Sequence, residues 1–155
     1  MTSKRRQLIL DGRQICIRLD QLTNSALAAA DITGVQALTL LHILGNAEAG
    51  VSVTSLHQVS GHSKATISRL VRRLWEKGYV RLEPSTEDGR QKLLYGTEKG
   101  ARLRAFLEQS IVSSEAVLYH GFTAVELEEL NRLQMKMLQN LSKTPEFSQR
   151  EENIT

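Results

Sequence analysis

Between Ser52 and Leu74 two short stretches of helical periodicity are joined by little more than Ser60-Gly61-His62, and this tight join constrains the fold more than any other part of the chain. Helices connected by so short a turn must cross steeply and share an inner face. Leu56 and Val59 supply that face on the first helix, and Ser52 or Thr54 can cap its start. Gly61 provides the permissive backbone that the turn requires, and Ser63 can cap the second helix. That helix is expected to end at Lys77-Gly78, with Gly78 at the left-handed C′ position and Lys77 near the negative end of the dipole. Tyr79 to Glu83 then reads as a strand, Pro84 to Gly89 as a turn and Gln91 to Tyr95 as the returning strand. The hairpin is expected to project as a wing. The expected fold class is mainly α with a small β-hairpin wing, a winged helix-turn-helix.

The flanks are helical by pattern. From Lys4 to Ala29 the residues Leu8, Ile15, Leu19, Leu22 and Leu27 recur at helical spacing, giving one helix or one broken near Gly12. Thr33 caps a second helix with an apolar stripe of Val35, Leu38, Leu41 or Leu40, and Leu44, ending at Gly45-Asn46. Thr97 and Glu98 open another, carrying Leu103, Phe106, Leu107 and Ile111. Thr123 with Glu126 three residues on reads as a capping box ahead of Leu127, Leu130, Leu133, Met137, Leu138 and Leu141. With 155 residues, 41% of them apolar, the chain suits one core and not two. The expected division is a terminal helix over 1–31, the winged helix-turn-helix lobe over 32–96, further terminal helices over 97–141 and a disordered polar tail over 142–155.

Charge is concentrated in one place. The net charge is only +3, yet residues 62–92 carry eight basic against four acidic side chains. On a helical wheel Ile67, Leu70, Val71 and Leu74 gather on one side of the second helix of the pair. Ala65, Ser68, Arg69 and Arg72 gather opposite, flanked by Thr66 and Arg73, with Ser63 and Lys64 at the start. Small residues near a helix N-terminus let its backbone approach a major groove, and Arg can donate a bidentate fork to guanine. At the wing, Glu87-Asp88-Gly89-Arg90 puts a cation at the tip, where Arg90 can enter an adjacent minor groove. Asp88 is expected to orient Arg90 or Arg81 by a charge-assisted hydrogen bond. The candidate DNA-binding residues are therefore Ser63, Lys64, Ala65, Thr66, Ser68, Arg69, Arg72, Arg73, Arg81, Asp88 and Arg90. The alternative is a winged module that binds protein instead.

Other function classes have less to stand on. There is no glycine-rich phosphate loop, nucleophile motif or pair of catalytic carboxylates, so no enzyme and no cofactor are expected. His42, His57, His62 and His120 are scattered, and no metal site is expected. No apolar run approaches the ~20 residues of a membrane span, and the N-terminus lacks a signal-like stretch, so a cytoplasmic protein is expected. Cys16, the single cysteine, is a candidate redox sensor, but between Ile15 and Ile17 it reads first as a small buried hydrophobe.

The span Ile32 to Leu141 resembles the MarR family of regulators. The resemblance rests on Ile32-Thr33-x-x-Gln36, the helix-turn-helix, Gly78-Tyr79-Val80, the wing Asp88-x-Arg90, Thr97-x-x-Gly100 and the closing Phe122-Thr-x-x-Glu-Leu-x-x-Leu-x-x-Leu. Gly96, where the family usually has leucine, and a first helix that reads as short depart from it. The resemblance implies an obligate homodimer with interlocked terminal helices, each subunit setting one recognition helix on half of a pseudo-palindromic site in double-stranded DNA. It also implies a regulator, usually a repressor, released by a small aromatic effector or an oxidant. The surplus of apolar residues on the terminal helices points to self-association independently.

Overall fold

The structure, a computed structural model, describes residues 2–87 and 89–144. It falls into two units, 1–118 and 119–155. In the first unit the order is α1 (Thr2–Leu27), a 3₁₀ turn (Ala28–Ala30), α2 (Gly34–Gly45), β1 (Val51–Ser52), α3 (Val53–Ser60) and α4 (Lys64–Glu76). It continues through β2 (Val80–Pro84), β3 (Lys92–Gly96), α5 (Glu98–Arg102) and α6 (Arg104–Leu118). The architecture is mainly helical with a small antiparallel sheet of order β1-β3-β2.

Several expectations change. Gly12 does not break α1, which runs unbroken for 26 residues, so the first helix is long. One glycine costs ~1 kcal/mol in a helix interior, too little to interrupt a helix with so many turns on either side. The hairpin acquires a third strand, because Val51 and Ser52 pair with Leu94 and Leu93. Pro84 belongs to β2 opposite Lys92 and not to the turn. The helix after Thr97 is two helices, α5 and α6, separated at Leu103.

Helix starts follow the caps. Thr33 accepts from the Gln36 amide while the Gln36 side chain accepts from the Thr33 amide, a reciprocal box that fixes the start of α2. Thr97 caps α5 by accepting from the Gly100 amide, and its hydroxyl donates to the Gly78 carbonyl at 2.6 Å. Gly100 lies directly on the Tyr79 carbonyl, where a Cβ would collide with backbone. The Thr97-x-x-Gly100 motif thus welds α5 to the end of α4. Gly96 has a packing cause, since the Leu44 side chain occupies the place of its Cβ.

The core joins these parts through Leu27, Ala37, Leu40, Ile43, Ile67, Leu74, Leu94 and Leu107, all without solvent exposure. On α2 the buried line is Ala37, Leu40 and Ile43, and Leu38 faces solvent instead of joining the stripe. Val59 and Phe106 are likewise exposed, leaving Leu56 and Leu107 as the inward residues of α3 and α6. The buried hydroxyls of Thr39, Ser110 and Ser114 donate to backbone carbonyls four residues earlier, and among the described residues no buried side-chain nitrogen or oxygen lacks a partner. Along α1, Leu8, Ile9, Leu10, Ile15 and Ile17 are all exposed.

The second unit contains α7 (Ala124–Ser142), opened by the expected capping box of Thr123 and Glu126. Thr123 donates from both amide and hydroxyl to the Glu126 carboxylate and holds its pKa below the ordinary glutamate value. Leu133, Met137, Leu138 and Leu141 stand exposed along this helix. The expected disordered tail starts too early at 142, because Ser142 is the last residue of α7, and from 145 onward it lies outside the described residues.

Candidate nucleic-acid interface

The second helix of the pair, α4, is built to present one face. Ile67, Val71 and Leu74 are buried and Leu70 is half-buried, as the wheel predicts. Its N-terminus is fixed by Ser63, whose hydroxyl accepts from the Thr66 amide at 3.2 Å and meets the Thr66 hydroxyl at 3.0 Å. Before it, Gly61 takes φ +73 and ends α3 by donating to the His57 carbonyl, a conformation a side chain would strain. His57 Nδ1 and the His62 carbonyl meet across the turn and close it. Among the described residues no group of three or more His, Cys, Asp or Glu is placed to hold a metal ion.

The far end of α4 is equally defined. The Tyr79 amide reaches the Leu74 carbonyl and the Gly78 amide the Trp75 carbonyl, both at 2.9 Å, which is the Schellman arrangement. Lys77 donates to the Asp31 carbonyl and lies 3.6 Å from its carboxylate, tying α4 to the corner between α1 and α2. Lys99 donates to the Lys77 carbonyl and sits over the Tyr79 ring. The helix is therefore anchored at both ends while its outer side stays open.

That outer side brings together Lys64, Ala65, Ser68, Arg69 and Arg72, all exposed, with Thr66 half-buried at the margin. Arg69 Nε donates to the Ala65 carbonyl at 3.4 Å, and Arg72 Nε to Glu76 at 3.1 Å. Each contact uses one of a guanidinium's five donors. Arg73 turns away, toward a cavity of about 380 Å³ beside Asp31, Gln36 and Lys77. Arg81 pairs with Glu83 and lies 4.8 Å from the centre of the Tyr95 ring. Strand alternation puts it on the opposite sheet face from Leu82, which faces α4. Arg90 is exposed in the turn of the hairpin. Asp88, expected to orient an arginine, lies outside the described residues, and the carboxylate beside Arg81 is that of Glu83. Cys16 is exposed on α1, in contrast to the buried placement expected from its neighbours, because Ile15 and Ile17 are exposed as well.

One side chain on this surface escapes the polar-against-apolar wheel. Trp75 is 55% exposed and lies one heptad after Ser68, on the polar side of α4. The signal was positional: an aromatic residue in register with Ser68 and Arg72 rather than with Ile67 and Leu74.

Among the described residues no single helix is long and apolar enough to cross a membrane. Residues 30–91 match the model of the MarR family. A transcriptional regulator of the helix-turn-helix type from Bacillus subtilis, YybA, is 26% identical over 129 residues, covering 83% of this chain and 85% of that protein. A MarR family transcriptional regulator from Listeria monocytogenes, solved with a 26mer DNA, superposes with a TM-score of 0.79 at 25% identity, covering 86% of this chain and 88% of that one. A mutant MarR from E. coli complexed with operator DNA gives 0.73 at 28% identity, covering 85% and 96%. The chain is thus similar, over most of its length, to winged-helix transcriptional regulators of the MarR family.

Proposed function

We propose that the chain is a sequence-specific, cytoplasmic DNA-binding repressor that sits on a pseudo-palindromic operator as a homodimer. The observation that carries this reading is the outer face of α4, where small residues and two arginines share an exposed surface on a helix anchored at both ends. Relatives solved on DNA support the partner class. In this reading Ser63, Lys64, Ala65, Thr66, Ser68 and Arg69 meet the major groove, with Arg72 at its backbone edge beside the wing and Arg73 on the flank. Arg90 meets the neighbouring minor groove. Residues 32–96 are the DNA-binding lobe, and 1–31 with 97–141 form the dimer.

Self-association is supported by α1, where Leu8, Ile9, Leu10, Ile15 and Ile17 are exposed around the helix, apolar area that water disfavours. Release by a small apolar effector is supported by a cavity of about 250 Å³ lined by Val35, Leu38, His42, Leu56, Val59 and Ile67, between α2 and the helix-turn-helix. Such a ligand acts by binding one spacing of the two recognition helices more tightly than another. Exposed Cys16 gives an oxidant a second route.

The test is selection of the purified chain against a random duplex pool at near-physiological salt. Enrichment of a palindrome with half-site centres about one helical turn apart is the expected result. Recovery of only sequence-indifferent DNA, lost steeply with added salt, overturns the reading.

A further inference from the structure

Beside the outer face of α4 lies a groove of about 290 Å³, bounded by the helix on one side and the wing strands on the other. Its floor is apolar, made by Val71, Leu82 and the flank of Trp75, and its rim carries Ser68, Arg72 and Lys92. Trp75 and Leu82 are 55% and 39% exposed, a large hydrophobic opening for a surface so rich in cations. Arg72 keeps further donors beside the one that Glu76 occupies, and Lys92 approaches from the start of β3. Apolar floor and cationic rim together match a ligand with an uncharged ring and an anion in alternation. The deoxyribose-phosphate backbone is such a polymer.

Position points the same way, and here the argument rests on the function proposed above. A helix in a major groove and a hairpin tip in the next minor groove lie on either side of one backbone strand, because a strand is what separates the two grooves. That strand must cross the space between α4 and the wing. We infer that the α4–wing groove seats one strand of the DNA backbone, with Arg72 and Lys92 on its phosphates and Trp75 and Leu82 against its sugars. Trp75 is then a positioning residue. It reads no base, but it fixes how deeply Arg69 and Ser68 enter the major groove. Phosphate and sugar contacts set register and orientation in this way while carrying no sequence information themselves.

Trp75 is the single tryptophan of the chain, so the full-length protein reports on the groove without a label. Its emission should be quenched by acrylamide in the free protein and shielded when saturating duplex DNA is added, for the selected operator and for an unrelated duplex alike. Trp75→Ala should weaken both duplexes by a similar factor, roughly five- to tenfold. Lys92→Gln, which alters no packed residue, should lower the slope of log affinity against log salt by about 1. Unchanged acrylamide quenching at a DNA concentration where a labelled duplex is fully bound would overturn the inference and leave the proposed function standing. Shielding that grows with protein concentration in the absence of DNA would assign the groove to a second copy of the chain and overturn it too. If no duplex binds at all, the functional reading fails first and this one with it.

Discussion

Helices α4 and α1 leave solvent-facing sides of opposite character. On α4 the apolar residues Ile67, Val71 and Leu74 are consumed by the chain's own core, and what remains outside is Lys64, Ser68, Arg69 and Arg72. On α1, among the described residues, only Leu27 at the last turn is buried, and Leu8, Ile9, Ile15 and Ile17 remain outside. An exposed cationic face is satisfied in water and becomes useful when it meets a polyanion. An exposed apolar face is unfavourable in water and calls for another protein surface. The same chain therefore exposes one cationic surface and one apolar surface, and the difference lies in how much of each helix the core takes; under the proposed function the first meets DNA and the second a copy of the chain.

Substitutions on the two helices should separate these roles. The largest expected effect is on the inner side of α4: Ile67→Ala should cost about 2–5 kcal/mol of folding stability, measured by denaturant unfolding at fixed protein concentration. Next is Ile9→Asp on α1. It should drive dimer to monomer in sedimentation equilibrium while each monomer keeps its helical circular dichroism, and an unchanged dimer would remove α1 from the interface. Arg69→Ala should cost about 1–3 kcal/mol of operator affinity with stability unaltered, relaxing preference at one base pair. The smallest is electrostatic and concerns Glu126, whose folded pKa is depressed by the Thr123 amide and hydroxyl. A depressed carboxyl contributes stability above its ordinary value and loses it as pH falls through the folded value. The difference in thermal midpoint between the wild type and Glu126→Ala should thus be present at neutral pH and vanish in acid.

What could be read in advance follows from whether the cause was local. The caps Thr33, Ser63, Thr97 and Thr123, the turn at Gly61 and the inner face of α4 depend on residues within one or two turns of each other, and the structure has them where the pattern puts them. Strand β1 was illegible because two residues carry no period, and their extended state is set by Leu93 and Leu94 some forty residues away. Leu38, Val59 and Phe106 look like core by type, but which side of a helix is buried is decided by neighbours that periodicity does not identify. Gly96 departs from the MarR pattern for a reason held by Leu44, again distant in sequence. Trp75 was visible in position but not in meaning until Leu82 and Lys92 were placed opposite it.

The most direct test of the central claim is the affinity of wild type and Arg69→Ala for the selected operator and for a set of duplexes altered one base pair at a time. The account predicts that Arg69→Ala binds the operator about tenfold or more weakly and no longer distinguishes the bases at one position in each half-site. Equal affinity of both proteins for every duplex in the set would contradict it.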